Sequence, residues 1–273
     1  MKIRILLYIT IVTISLSTGC KSNYEQIRNS NNPERILREA NRFFKDEQYT
    51  KAQGLYEVVI PFYRGKKEAE DVFYNYTYTH YYQGEYILSA HYFNNFTKTF
   101  YNSPKKEEMA FMSALSNYQM SPNEKLDQTA SIEALDKLQI FINTYPNSPR
   151  VEECNKLMDE IRGKLETKSF RQGKLYYDLK NYQSAMTSLE NTLKDFPETK
   201  RAEEINFLIV KSSTELAKNS IYEKMQERLE STIEKSNKFL SRYPRSKRKQ
   251  EIRSTIDYCK QELKRFINEW YQE

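Results

Sequence analysis

One phrase recurs through the chain and fixes its length scale: an aromatic residue that closes an apolar helix face, usually a proline, then a serine or threonine and a pair of acidic residues. Its fullest copy is Phe141-Ile-Asn-Thr-Tyr-Pro-Asn-Ser-Pro149, followed by Val-Glu-Glu. Other copies are Phe96–Pro104, Thr192–Lys200 and Phe239–Lys247, with a looser one at Val58–Lys66. The anchoring aromatics are Phe62, Phe100, Tyr145, Phe196 and Tyr243. Each phrase reads as a helix stop, with Ser103, Ser148, Thr199 and Ser246 capping the next helix and Glu in its first turn matching the dipole. A small residue precedes each anchor by ten or eleven positions: Ala52, Ala90, Ala134, Ala185 and, less clearly, Thr232. Small residues let two helices approach closely, and an aromatic fills the gap between neighbouring pairs. A chain so punctuated folds as stacked helical hairpins, each burying its apolar face against the next.

Composition agrees. Only 6 Gly and 8 Pro in 273 residues leave few forced turns, and 29% charged residues with interspersed signs read as solvated helix faces. The layout predicts helices near 33–46, 49–62, 66–83, 85–101, 104–119, 128–144, 149–180 (weakened at Gly163 and Gly173), 182–195, 199–218, 222–242 and 247–270. The last, with Trp270 and Tyr271, caps the array. Tyr74, Tyr76 and Tyr78 alternate like a strand, but Phe73, Tyr74, Tyr78, Tyr81 and Tyr82 also fit spacings of three and four, and the following Gly84-Glu-Tyr86 turn keeps repeat register. Helix is the reading adopted.

The N-terminus, MKIRILLYITIVTISLSTGC, sets a compartment. Lys2 and Arg4 precede an apolar run, Ile5–Leu16, that is too short for a bilayer span of about 20 residues. Ser17, Thr18 and Gly19 then lead to Cys20. This resembles a bacterial lipobox, whose cysteine receives a diacylglyceryl group and an N-terminal fatty acyl chain such as palmitate. Leu16 lies one place further from the cysteine than is usual. The resemblance implies a signal peptide over 1–19, lipidation at Cys20 and a flexible tether over 20–32. Repeats 1–3 then occupy 33–148, and repeats 4–5 with the capping helix 149–273. Lys21 after the cysteine and the absence of an acidic cluster in 21–26 imply an outer-membrane anchor with the body on the periplasmic side.

Catalysis finds no support. Gly-rich phosphate loop, metal-ligand cluster and nucleophile elbow are missing from the sequence, and paired carboxylates such as Glu107-Glu108 sit at helix starts where the dipole explains them. No cofactor or metal is expected. The net charge of +6 falls by two once Lys2 and Arg4 leave with the leader. The dense basic stretch Arg242–Lys249 reads as a solvated loop, so nucleic acid is not an expected partner. His80 and His91 read as packing or surface residues, and Cys154 and Cys259 as buried free thiols.

The helix–turn–helix logic resembles the tetratricopeptide repeat, with anchors spaced more widely than the usual 34 residues. The fold class expected is all-α: an α-α superhelix (solenoid) of about five such repeats with a C-terminal capping helix. At Ser121-Pro122, Leu126-Asp127-Gln128-Thr129, Ile132–Leu135 and Phe141–Ser148 the likeness sharpens. This run resembles the BamD family, the outer-membrane lipoprotein of the β-barrel assembly machinery. Departures are Tyr101 where proline is usual and the weak first and fifth phrases. The resemblance implies a scaffold that binds the periplasmic domains of a BamA-like barrel insertase, other assembly-complex subunits and unfolded outer-membrane proteins. Tyr74, Tyr78, Tyr81 and Tyr82 are the candidate peptide-binding side chains. The alternatives are a nutrient-binding or a peptidoglycan-associated repeat lipoprotein.

Overall fold

The computed structural model describes residues 23–270. The signal peptide, Cys20 and Tyr271 lie outside the described residues. All regular structure within them is helical: α1 (Asn23–Arg28), α2 (Pro33–Lys45), α3 (Tyr49–Tyr63), α4 (Ala69–Tyr82), α5 (Tyr86–Thr99), α6 (Lys106–Gln119), α7 (Thr129–Thr144), α8 (Val151–Asp178), α9 (Tyr182–Asp195), α10 (Ala202–Lys218), α11 (Tyr222–Arg242) and α12 (Lys249–Trp270). Two compact units result. The first holds residues up to Ser121 with Thr129–Asn155, and the second holds Pro122–Gln128 and everything from Lys156. Within each unit, successive helices pack as antiparallel hairpins, the tetratricopeptide-like arrangement the phrases predict. Among the described residues no helix is long and apolar enough to cross a membrane.

The phrases do a sharper job than capping. In four copies the anchor N–H bonds the carbonyl four residues back: Phe100 to Phe96, Tyr145 to Phe141, Phe196 to Thr192, Tyr243 to Phe239. The Ser or Thr three residues on then bonds the anchor's carbonyl, and its own carbonyl accepts from the residue three further along. Its hydroxyl accepts the N–H two positions ahead, from Lys105, Arg150, Arg201 and Arg248 respectively. This one-turn lead-in is why α4, α6, α8, α10 and α12 start two or three residues later than the pattern alone predicts.

The first copy shows a register correction. Phe62 is 53% exposed and anchors nothing, whereas Tyr63 is 7% exposed and its carbonyl accepts from Lys66 as the other anchors accept from Ser or Thr. The helix simply runs one residue further, so the aromatic that reaches the inward face is Tyr63.

The small residues behave as the spacing predicts. Ala52, Ala90, Ala134, Ala185 and Thr232 are all buried at helix crossings. At the turn of three hairpins, Glu47, Gly84 and Lys180 take positive φ, and the N–H of the next residue reaches back to Phe43, His80 and Tyr176. These are left-handed helix terminators, made once with the residue that suits them and twice without it.

Two further expectations change. The stretch read as a flexible tether contains α1, because Ile27 is buried and Tyr24 packs edge-on against Phe43 at 6.1 Å while its hydroxyl donates to the Lys51 carbonyl. The long helix, α8, runs unbroken for 28 residues through both glycines. Gly163 faces open space, and Gly173 admits the side chain of Leu189 so closely that a Cβ would stand 2.6 Å from it.

Candidate peptide-docking site

The tyrosine-rich helix α4 presents its residues to two neighbours. Tyr78 is 8% exposed, lies edge-on to Phe93 at 5.1 Å, and donates its hydroxyl to Glu108 Oε1 at 2.6 Å. Tyr74 donates to the same oxygen at 3.0 Å, with the Lys105 ammonium 4.7 Å over its ring. Burial, followed by the nearby Glu108 carboxylate, pushes the Tyr78 phenol well above its ordinary range, and burial raises Tyr74 as well. Tyr78 is buried packing between the second and third repeats, and Tyr74 is half-buried beside it, both hydroxyls committed to the same carboxylate.

Tyr81 is half-buried between Phe93 and Tyr86. Tyr82 alone presents a broad face, 51% exposed, stacked on Tyr49 at 4.6 Å. The quartet therefore divides along the helix: inward rings near its middle, an outward ring at its last residue.

Glu108 has a role that its position at a helix start conceals. Three other acidic residues, two at helix starts and Glu166 in the middle of α8, do the same. Ser103 donates to Glu70 at 2.8 Å, Thr199 to Glu166 at 2.6 Å, and Ser246 to Glu203 at 2.7 Å. Four residues beyond each Glu stands an aromatic, and the basic residue two after each hydroxyl lies over it. Lys105 covers Tyr74, Arg201 covers Phe170 at 5.3 Å, and Arg248 covers Phe207 at 4.5 Å. Arg150 over Phe111 at 4.4 Å completes the set in the third phrase. Carboxylate, hydroxyl, cation and ring thus form a clasp between consecutive repeats. The sequence signal was there in Ser/Thr-x-Lys/Arg paired with Glu-x-x-x-aromatic.

A groove of about 430 Å³ lies within the first unit between α5, α6 and α7. Its floor is α6, where Ala110, Ser113, Ala114 and Asn117 recur at helical spacing and their small or short side chains leave the space open. Asn94 and Thr97 of α5 form one wall and Ile140 and Thr144 of α7 the other, with Lys106 and Lys137 among the lining side chains. Ser113 donates to the Ala90 carbonyl and Asn117 to the Ser113 carbonyl, so the floor's polar groups serve the fold. What it offers a ligand is apolar surface from Ile140, which is exposed, the Lys106 amine, and the Lys137 amine, which lies 3.6 Å from Asp136. That combination accepts a short segment carrying an apolar side chain and a negative charge. None of its residues was a sequence candidate. The run of small residues on α6 was the only signal.

His91, exposed, borders this groove, whereas His80 is buried with Nδ1 2.5 Å from Glu85 Oε2. Cys154 and Cys259 are free and buried, and burial pushes both thiols up to about 11. The diagnostic run keeps its own loop in order. Gln128 is buried, and its amide donates to the carbonyls of Asn123 and Leu126.

Comparison with known proteins gives a family and several distant folds. The model of a family described as outer membrane lipoprotein, YfiO, matches residues 29–205 and 173–272. Among curated proteins none matches the sequence. A thermophilic TPR protein of Thermus thermophilus aligns at 13% identity over 84% of this chain and 98% of its own, with a TM-score of 0.32. The apo form of RapI aligns at 15% identity over 84% of each chain, with a TM-score of 0.31. At those scores neither likeness carries weight.

Proposed function

Because the chain belongs to the YfiO family of outer membrane lipoproteins, the BamD family that the third repeat resembles, we propose that it is a non-catalytic scaffold of β-barrel assembly. In this reading Cys20 carries the lipid, the helical body stands on the periplasmic side of the outer membrane, and it binds the periplasmic domains of a barrel insertase. The observation that carries the reading is the family match across both units of the chain, 29–205 and 173–272.

The groove between α5, α6 and α7 gives the scaffold a receptor surface for unfolded barrel segments. An extended segment ending in an apolar residue and a carboxylate would meet Ile140 and the Lys106 ammonium, with Lys137, which also faces Asp136 at 3.6 Å, close by. The rigid helical walls keep the ordering cost on the peptide's side. This moves the peptide contact from the α4 tyrosines to the next repeat.

Two measurements test the reading. Affinity purification from detergent-solubilised membranes should recover a barrel insertase; recovery of a glycan transporter instead would favour the nutrient-binding alternative. A barrel-protein C-terminal peptide should lose affinity for Lys106→Glu/Lys137→Glu by at least about tenfold, since two attractive charges become repulsive. An unchanged dissociation constant would remove the groove from the proposal.

A further inference from the structure

We propose that the hairpin-turn end of the first two repeats, where Tyr82, Ile87 and Leu88 are exposed, rests in the interface of the lipid bilayer. The inference rests on the reading of Cys20 as the lipidated residue and adds a surface to it. Ile87 is 74% exposed and Leu88 43%, both in the first turn of α5, and Tyr82 ends α4 just across the Gly84 turn. Three large apolar side chains within seven residues are thus exposed around one turn.

The length of chain between the anchor and the first fixed residue says what covers them. Cys20 lies four residues before Tyr24, a reach of at most about 14 Å. Tyr24 is held at the turn end of the first hairpin: its ring meets Phe43 near the end of α2, its hydroxyl bonds the Lys51 carbonyl in the first turn of α3, and it closes over Gly54. The chain then passes through α1 to Pro33, where α2 begins at the opposite end of that hairpin, so α1 enters from the turn end. Phe44, beside Phe43, meets Tyr49 and Tyr82 at 5.6 and 6.4 Å, and Thr50 bonds Gln83 across the two turns at 2.7 Å. Anchor and apolar patch therefore share one end of the same two hairpins.

The patch itself carries little free charge: the first turn holds Lys45, Asp46, Glu47 and Lys51, balanced in sign, and in the second Glu85 is bonded to His80. Tyrosine favours the headgroup level, where its ring is buried and its hydroxyl stays wet, and Ile and Leu gain by leaving water. A lipid anchor already holding this end near the membrane makes that contact effectively intramolecular.

Depth-dependent quenching tests it. The lipidated full chain, with Trp270→Phe as background, carries either Ile87→Trp or Lys67→Trp and is reconstituted into phosphatidylethanolamine–phosphatidylglycerol vesicles containing dibrominated phosphatidylcholine. The Ile87→Trp form should emit to the blue of the Lys67→Trp form and be quenched by the brominated lipid, while the Lys67→Trp form is not. Equal and weak quenching of both overturns the inference. Mass spectrometry of the N-terminal peptide separates the two readings. An unacylated Cys20 removes the anchor and this inference together, whereas an acylated, vesicle-bound protein with an unquenched position 87 removes this inference alone. Shielding of position 87 only on adding insertase periplasmic domains assigns the patch to a protein partner and also overturns it.

Discussion

The clasp between repeats makes its strongest test at Thr199. This residue is buried, its hydroxyl donates to Glu166 at 2.6 Å and accepts from the Arg201 N–H at 3.1 Å, and the Arg201 guanidinium returns to Glu166 at 3.4 Å. Thr199→Val keeps the shape and removes only the oxygen, so Glu166 loses a donor and a backbone N–H loses its acceptor. A hydrogen bond to a charged group contributes about 1.5–3 kcal/mol, and an orphaned donor costs about 1 kcal/mol more. The arginine and solvent partly compensate Glu166, which is itself only half-buried, so the expected loss is about 2 kcal/mol. The coupling to Glu166→Ala should be about 1 kcal/mol. A double-mutant cycle on the soluble Cys20→Ser protein, read by urea denaturation of far-UV ellipticity, gives both numbers. Ser148→Ala is the internal control. Its hydroxyl accepts from the Arg150 N–H but, among the described residues, meets no carboxylate, so it should cost less than Thr199→Val. Additive single mutants at Thr199 and Glu166, or equal losses at Ser148 and Thr199, would refute the clasp as a stabilising unit.

Four other outcomes follow from the same structure. In α8, Gly163→Ala should stabilise by about 0.5–1 kcal/mol, since it faces open space in a helix. Gly173→Ala should destabilise by about 1–3 kcal/mol, because its Cβ would meet Leu189 at 2.6 Å; thermal denaturation distinguishes the signs. Lys180→Gly should stabilise by about 1 kcal/mol by relieving a left-handed backbone, and loss of stability there would contradict the assigned terminator. Cys154 and Cys259 should resist alkylation at pH 8 until denaturant is added. Their raised thiols hold protons that the unfolded chain releases near pH 8.5. Stability should therefore be complete below that pH and fall as pH rises toward about 11, and a flat pH profile over that window would refute their burial.

Helices were legible because their punctuation is chemical. The anchors at Phe100, Tyr145, Phe196 and Tyr243 end helices through a backbone bond that any aromatic-closed turn makes, so four phrases place eight helix ends. Phe62 failed for the same reason in reverse. With two adjacent aromatics, Phe62-Tyr63, the letters do not say which one the helix turns inward, and one residue is about 100° of rotation. The helix α1 was read as tether because its sequence, Asn-Tyr-Glu-Gln-Ile-Arg, is polar. It folds because two side chains, Tyr24 and Ile27, find a ready apolar surface on the first hairpin, a tertiary effect with no local signal.

The site was harder to read than the fold, and the α4 tyrosines show why. Tyr74, Tyr78 and Tyr82 recur every four residues and share a helix face, so periodicity treats them alike. Their surroundings do not: Tyr74 and Tyr78 meet Glu108, and Tyr78 also lies against Phe93, whereas Tyr82, at the last residue of α4, stacks on Tyr49 and stays 51% exposed. Exposure along one stripe is set by which neighbours each ring meets, and periodicity does not carry that. Gly54→Ala carries the point to a measurement. Its Cβ would stand 2.5 Å from the Tyr24 hydroxyl, which must then leave the Lys51 carbonyl. Hydrogen exchange should quicken over Asn23–Arg28 and leave α2 and α3 protected. If α2 and α3 loosened equally, α1 would be part of the hairpin's own core rather than a strap laid on it, and the anchor's short reach would no longer be set by Tyr24.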